Sequence, residues 1–302
     1  MKASGLWPLL LAAALLPAAA QVTVEITQEQ EQFLPAESMP VVVRITNRSG
    51  QSLRLGQTED WLTFSVEGRD SHVVPKTGEV PVGGEFVLEP SRVVALRLDL
   101  APYFLLTQPG RYSTTATMQI KDWNQNIRSQ PKSFDIIQGV KLWEQEIGVP
   151  DSAAGSNATP EIRKFVLQQA NYLKYQLRLY VRLTDASGSK TFRVFPIGPM
   201  VSFGRPEPQV DKFSNMHLLH QSGPHSYTYV VINPSGEIIA RRTYDYVDKR
   251  PRLAPDAAGK VLVNGGVQRP TPSDIPPARP QEAGADTPKP KPSPGDLMLP
   301  ES

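Results

Sequence analysis

Cysteine is missing from all 302 residues. Its absence excludes disulfides, thiolate chemistry and a lipidated cysteine, so stability has to come from apolar burial. Two domains of about 110 residues each are large enough for that. Catalytic signatures are missing as well: the chain has no GxSxG, no SxxK with its partner motifs, no P-loop, no GxGxxG and no HExxH. Glycosidase chemistry needs two carboxylates brought together, and Glu59-Asp60 or Glu144 with Glu146 have no apolar pocket signature around them. Beyond residue 20 no apolar run approaches the ~18 residues of a membrane-spanning helix. The last 33 residues contain no aromatic and ten of the 30 prolines. Such a stretch buries too little to offset its ordering entropy, and 270–302 is expected to be a disordered, Pro-rich tail.

At the other end, Met1 to Ala20 has the layout of a signal peptide. Lys2 gives the charged start, Leu6 to Leu16 the apolar centre, and Ala18 to Ala20 a small-residue cleavage site. The expectation is an exported protein of the periplasm, cell surface or extracellular space, maturing near Gln21. Short glycosylation patterns stand at Asn47-Arg-Ser49 and Asn157-Ala-Thr159. The net charge of +2 conceals an asymmetry: residues 21–150 carry 12 basic and 16 acidic side chains, residues 160–269 carry 16 and 8. A split of this kind fits an anionic partner for the basic half, two halves that attract each other, or, as the ordinary reading, a solvated basic face.

The spacing predicts an all-β protein. In 21–139, short alternating runs such as Val22–Ile26, Leu62–Val66, Val94–Leu100 and Tyr112–Ile120 are separated by Gly and Pro turns. About seven strands with no convincing helix predict a β-sandwich. Tyr112 follows Pro109-Gly110 at the start of the longest alternating strand, the position of a tyrosine corner, whose hydroxyl bonds to upstream backbone. Trp61 is the candidate core indole. With Phe33-Leu-Pro-Ala-Glu37, Val41-Val-Val-Arg-Ile-Thr-Asn47, Leu88-Glu-Pro90 and Pro109-Gly-Arg-Tyr112, the region resembles bacterial exported immunoglobulin-like domains, including those related to macroglobulin modules and the BsuPI proteinase-inhibitor family. The resemblance implies a seven-stranded Ig-like sandwich and export. It implies no chemistry, since the matching motifs are turn and strand devices.

Residues 140–160 are expected to form a linker, with Trp143 buried at the end of the first domain or between the domains. In 161–175 the pattern leaves helix and strand open: Thr159-Pro160-Glu161 would start a helix, whereas Lys164–Gln168 also reads as a strand turned at Ala170-Asn171. From Gln176 to Leu183 strict alternation predicts a strand. Met216 to Tyr246 predicts a three-stranded antiparallel meander, with turns at Gln221–Pro224 and Asn233–Gly236. A faint repeat shifts Val181, Leu183 and Ser187-Gly188 by 35 residues onto Met216, Leu218 and Ser222-Gly223. Residues 161–269 are therefore expected to be an antiparallel β domain of duplicated hairpins.

Two groups of residues invite a functional reading. His217, His220 and His225 suggest a metal or an acid–base site, but their spacing matches no zinc pattern, and strand residues three apart point to opposite faces. Arg241, Arg242, Tyr244, Tyr246, Lys249, Arg250 and Arg252 form a basic, aromatic run suited to phosphate, uronate or sulfate groups; the ordinary alternative is a solubilising edge strand. No cofactor and no nucleic-acid motif is indicated. The expected function is an exported, non-enzymatic binding or scaffolding protein that meets a protein or an anionic polysaccharide of the envelope. The alternative is a metal-assisted hydrolase centred on the histidines of the meander.

Overall fold

The computed structural model describes residues 22–149, 161–172 and 176–275. These residues form an all-β structure of several antiparallel sheets, with two short 3-10 turns as the helical content among them. The signal-like segment, the Asn157 pattern and the tail beyond Ile275 lie outside the described residues.

In the first half, alternation gives each strand one buried and one wetter face. Strands β1 (Val22–Thr27), β3 (Pro40–Asn47) and β7 (Val93–Asp99) make one antiparallel sheet in the order β1-β3-β7. Facing it, β2 (Gln32–Phe33), β10 (Lys132–Ile136), β8 (Gly110–Ile120) and β5 (Leu62–Gly68) run in the order β2-β10-β8-β5, with β9 (Gln125–Arg128) also on β8. A ribbon of β4 (Leu53–Leu55) and β6 (Phe86–Leu88) adds to the same core. The seven strands expected become ten. β2 and β9 are too short for alternation to announce them.

Two expectations on single residues have a physical counterpart here. The Tyr112 hydroxyl donates to the Gln108 carbonyl at 2.8 Å, and its ring stacks on Phe134 with centroids 5.7 Å apart. Trp61 is buried and meets Phe86 edge-on. Asn47 is different: it is 0% exposed, and its amide donates to the carbonyls of Gln51 and Leu88 while accepting from the Ser49 amide. It holds a turn together and offers no room for a glycan.

The second half stacks two sheets. The first has the order β11 (Val140–Gly148), β12 (Ile162–Tyr172), β13 (Gln176–Asp185), β14 (Thr191–Met200). The second has the order β15 (Glu207–Val210), β16 (Met216–Gln221), β17 (Ser226–Ile232), β18 (Ile238–Asp245), β21 (Val267–Gln268). The expected meander is β16–β18, in register from Met216↔Ile232 and Tyr227↔Tyr244. Val181, Leu183, Met216 and Leu218, paired by the 35-residue shift, meet in the core between the two sheets.

Three boundaries differ from the sequence reading. Val140–Gly148, expected within a linker, is an edge strand on β12; Trp143 and Ile147 reach the core of the second half. Ile162–Tyr172 is a single strand with no turn at Ala170-Asn171. Its two faces are both covered: Phe165 and Leu167 enter the core between the sheets, and Ala170 packs with Tyr180, Val194 and Leu34 of the first half. A strand buried on both faces carries consecutive apolar residues, and this blurs its period toward that of a helix. Finally, residues 270–275, expected within the tail, lie on the second sheet: Ile275 bridges to Arg241, and Asp274 accepts from Thr243 and Thr271.

Candidate functional site

The second sheet has a second buried face. Tyr229 and Val231 of β17 and Ala240 and Tyr244 of β18 point away from the inter-sheet core, beneath a hairpin of β19 (Arg252–Pro255) and β20 (Val261–Asn264). Packing of the hairpin is incomplete. A cleft of about 400 Å³ remains between the sheet and β20, lined above by Val261, Leu262 and Val263. That is within the size range of clefts that bury small ligands.

The polar lining is built from the β15–β16 turn. Asp211 Oδ1 accepts from the amides of Phe213 (2.8 Å) and Asn215 (2.9 Å), and Oδ2 accepts from the Asn215 side chain at 3.0 Å. The same Oδ2 lies 3.0 Å from His217 Nε2, and His217 Nδ1 lies 2.7 Å from the Tyr229 hydroxyl. Burial pulls the Asp211 carboxyl up, but the bonds from His217, Asn215 and the Phe213 and Asn215 amides outweigh it and hold the group below its usual value. Burial pushes the Tyr229 hydroxyl up to about 12, against the pull of Arg242, so it keeps its proton at neutral pH. An ionised carboxylate can only accept, so Nε2 carries the imidazole hydrogen. In the neutral ring Nδ1 then accepts from Tyr229. The relay leaves the free lone pair of the Tyr229 oxygen as an acceptor.

Arg242 and Lys260 supply the positive charge of the cleft. Neither side chain has an ion-pair or hydrogen-bond partner among the described residues. The site therefore combines an aromatic floor, an aliphatic roof, one acceptor fixed by a relay and two uncommitted cations.

The residues singled out from sequence do not converge. His217 belongs to the relay, whereas His220 is on the opposite face of β16, 1% exposed, with Thr228 as its cross-strand neighbour. His225 is in the exposed turn, where its carbonyl accepts from the Tyr246 amide at 2.7 Å. Among the described residues no group of three or more His, Asp or Glu could hold a metal ion. The basic run divides in the same way. Arg242 and Tyr244 line the cleft; Arg241 alternates to the other face, half-buried. Tyr246 is exposed beyond the strand, Arg250 lies over the Tyr227 ring, and Arg252 pairs with Glu207 at 3.2 Å. Lys249 belongs to the loop before β19, where its carbonyl accepts from Gly266. Asp211, Asn215, Tyr229 and Lys260 were not anticipated. They stand up to 49 positions apart, and the only local signal is the Asp211-to-Asn215 turn pattern ahead of an apolar strand.

At the contact between the halves, burial raises the Glu37 carboxyl and the Arg178 guanidinium acts against it, pulling the group down. Arg178 donates to Gln30 at 3.1 Å and stacks over Tyr172, yet among the described residues no ion pair joins residues 22–136 to residues 161–275. In comparisons with known proteins, the chain matches no protein-family model and no curated protein. Among solved structures it is similar to Spo0M, the sporulation control protein of Bacillus subtilis, at 8% identity and a TM-score of 0.29, over 59% of this chain and 89% of that one. A likeness at that level carries no argument about fold or function.

Proposed function

We propose that this chain is an exported, non-enzymatic binding protein of the cell envelope or secretome, which holds an anionic ligand in the cleft between β16–β18 and the β19–β20 hairpin. Arg242 and Lys260 carry the reading: two cations without partners at a cleft with an apolar lining. Arg242 is half-buried and Lys260 is exposed, so both cations stay hydrated at the edge of the cleft and are free to meet an anion whose apolar part enters it. The leader-like segment Met1 to Ala20 supports export. The first half would serve as an immunoglobulin-like support, a reading favoured by the Tyr112–Gln108 hydrogen bond. The ligand belongs to an anionic polysaccharide or an acidic protein of the envelope.

The test is binding of the purified chain to an acidic polysaccharide such as polygalacturonate, followed at low and physiological salt. Binding should weaken as salt rises, because exposed charges are screened over about 8–10 Å at those ionic strengths. It should fall at least tenfold in an Arg242→Gln/Lys260→Gln double variant. Undiminished binding by that variant would move the site away from the cleft. An absence of binding to any polyanion or acidic protein would remove the reading altogether.

A further inference from the structure

We propose that the unit occupying the cleft is a single acidic sugar ring of the hexuronate class. The proposal rests on the cleft being the binding site and adds what that site selects.

Charge comes first. The lining contributes Arg242 and Lys260, and against them the ionised Asp211. The surplus is one positive charge, which suits a monocarboxylate. A phosphate dianion or a pyrophosphate would leave negative charge uncompensated beside Asp211, in a lining dominated by Tyr244, Val261 and Val263.

Hydrogen-bond polarity comes second. Asp211 accepts from His217 Nε2, His217 Nδ1 accepts the hydrogen bond of the Tyr229 hydroxyl, and the Tyr229 oxygen is left to accept. The ligand must therefore bring a donor, such as a hydroxyl, as well as its anion. A simple fatty or aromatic acid has the anion alone. A phosphate ester can supply hydroxyls but fails the charge condition. A uronate satisfies both, because its carboxylate and its ring hydroxyls sit on one small rigid frame.

Shape comes third. The floor is aromatic, with Tyr229 and Tyr244, and the roof is the aliphatic side of β20. A pyranose has C–H faces that pack on aromatic rings and a polar rim of hydroxyls, so it can lie between the two with its edge toward Arg242 and Lys260. A space of about 400 Å³ holds a small ligand and excludes a folded protein segment. An acidic polysaccharide would then be held through one residue at a time, with neighbouring sugars at the open sides of the cleft.

The test uses the full chain and ligand-observed NMR or calorimetry with four probes: glucuronate, its methyl ester, cyclohexanecarboxylate and glucose 1-phosphate. Glucuronate should bind at least tenfold more tightly than each of the other three. Each of them lacks one required feature: the charge, the hydroxyls or the single negative charge. In Tyr229→Phe, whose ring and packing are kept, glucuronate should fall toward cyclohexanecarboxylate, while cyclohexanecarboxylate itself is unchanged. Equal binding of the methyl ester, of cyclohexanecarboxylate or of the phosphate overturns the assignment. So does a Tyr229→Phe variant that weakens all four probes alike. If no probe binds but polygalacturonate still does, in an Arg242- and Lys260-dependent way, the uronate-ring assignment falls and the cleft remains the binding site. If polygalacturonate fails as well, both fall.

Discussion

His217 and His220, three residues apart on one strand, are committed to opposite faces and opposite circumstances. His217 has a partner on each ring nitrogen, Asp211 at 3.0 Å and Tyr229 at 2.7 Å. Neither ring nitrogen of His220 makes a hydrogen bond of ordinary geometry, although it lies deep between the sheets. Burial, offset in part by the Pro199 carbonyl and aided to a smaller extent by Arg241, pushes its pKa down from 6.5 to about 4.

Acid should therefore unfold this protein early. Unfolded chains take a proton on His220 near pH 6.5, and the folded state resists until about pH 4. Its contribution to stability is complete above pH 6.5 and is lost as pH falls through that window, on the order of 3 kcal/mol in all. Glu37 acts in the opposite sense, since burial raises its carboxyl and protonation relieves it. Denaturant melts at pH 7.5, 6 and 5 should show the slope. His220→Leu should flatten it and raise stability at neutral pH by about 1 kcal/mol, by removing two unpartnered buried nitrogens. A variant with the wild-type slope would place the titration on other groups.

Tyr112 offers a second measurement. Tyr112→Phe keeps the stack on Phe134 and deletes the bond to Gln108. The expected cost is about 1 kcal/mol in chemical denaturation. Tyr112→Ala loses the ring as well and should cost clearly more, about 3 kcal/mol. Equal costs would mean that the hydroxyl contributes nothing and the corner is held by the ring alone.

How much of this was legible follows from periodicity. Strands with one wet face, such as Leu62–Gly68 and Met118's strand Gly110–Ile120, announce themselves by alternation. Ile162–Tyr172 does not, because both of its faces are covered. The two-residue period predicts that His217 and His220 point to opposite faces of their strand, and in the structure they do. The cleft was only half visible. Arg242 and Tyr244 belong to the flagged run, but Arg241 goes to the other face by alternation and Tyr246 lies beyond the end of β18 at Asp245. Lys260 reaches the site through a hairpin fold-over that no local pattern encodes, and Asp211 through a turn whose pattern marks the turn but not the cleft it faces.

Truncations test what residues 270–275 contribute to the sheet they lie on. Removing residues 276–302 should leave the melting temperature unchanged. Removing 270–302 also deletes Asp274, which accepts from Thr243 at 3.1 Å and faces the half-buried Arg241, and the Ile275 bridge to β18. Loss of about 1–3 kcal/mol is expected for the longer deletion. Equal stability of the two truncated chains would show that 270–275 contributes nothing to the sheet it lies on.

Two adjacent glycines, Gly265 and Gly266, carry the chain back from the roof of the cleft to β18, and Gly266 is the tighter of the two. Gly266 has φ +68°, donates to the Lys249 carbonyl at 2.8 Å, and immediately precedes Val267, which pairs with Asp245 on β18. A Cβ there would sit 2.5 Å from Pro251 Cγ and 3.1 Å from the Asp245 carbonyl, so alanine must displace the chain on both sides of the hairpin. Gly259 provides the comparison: it has φ +74°, but a Cβ added there meets nothing within 4 Å. Gly259→Ala should cost about 1 kcal/mol from backbone strain alone. Gly266→Ala should cost about 2–3 kcal/mol, and it should also expose the hairpin to limited proteolysis and weaken polyanion binding at the cleft. The two variants separate roof from sheet, because both carry the same φ penalty and only one collides. If Gly266→Ala unfolds the hairpin and leaves polyanion binding intact, β20 is no wall of the binding site and the ligand rests on the sheet face alone.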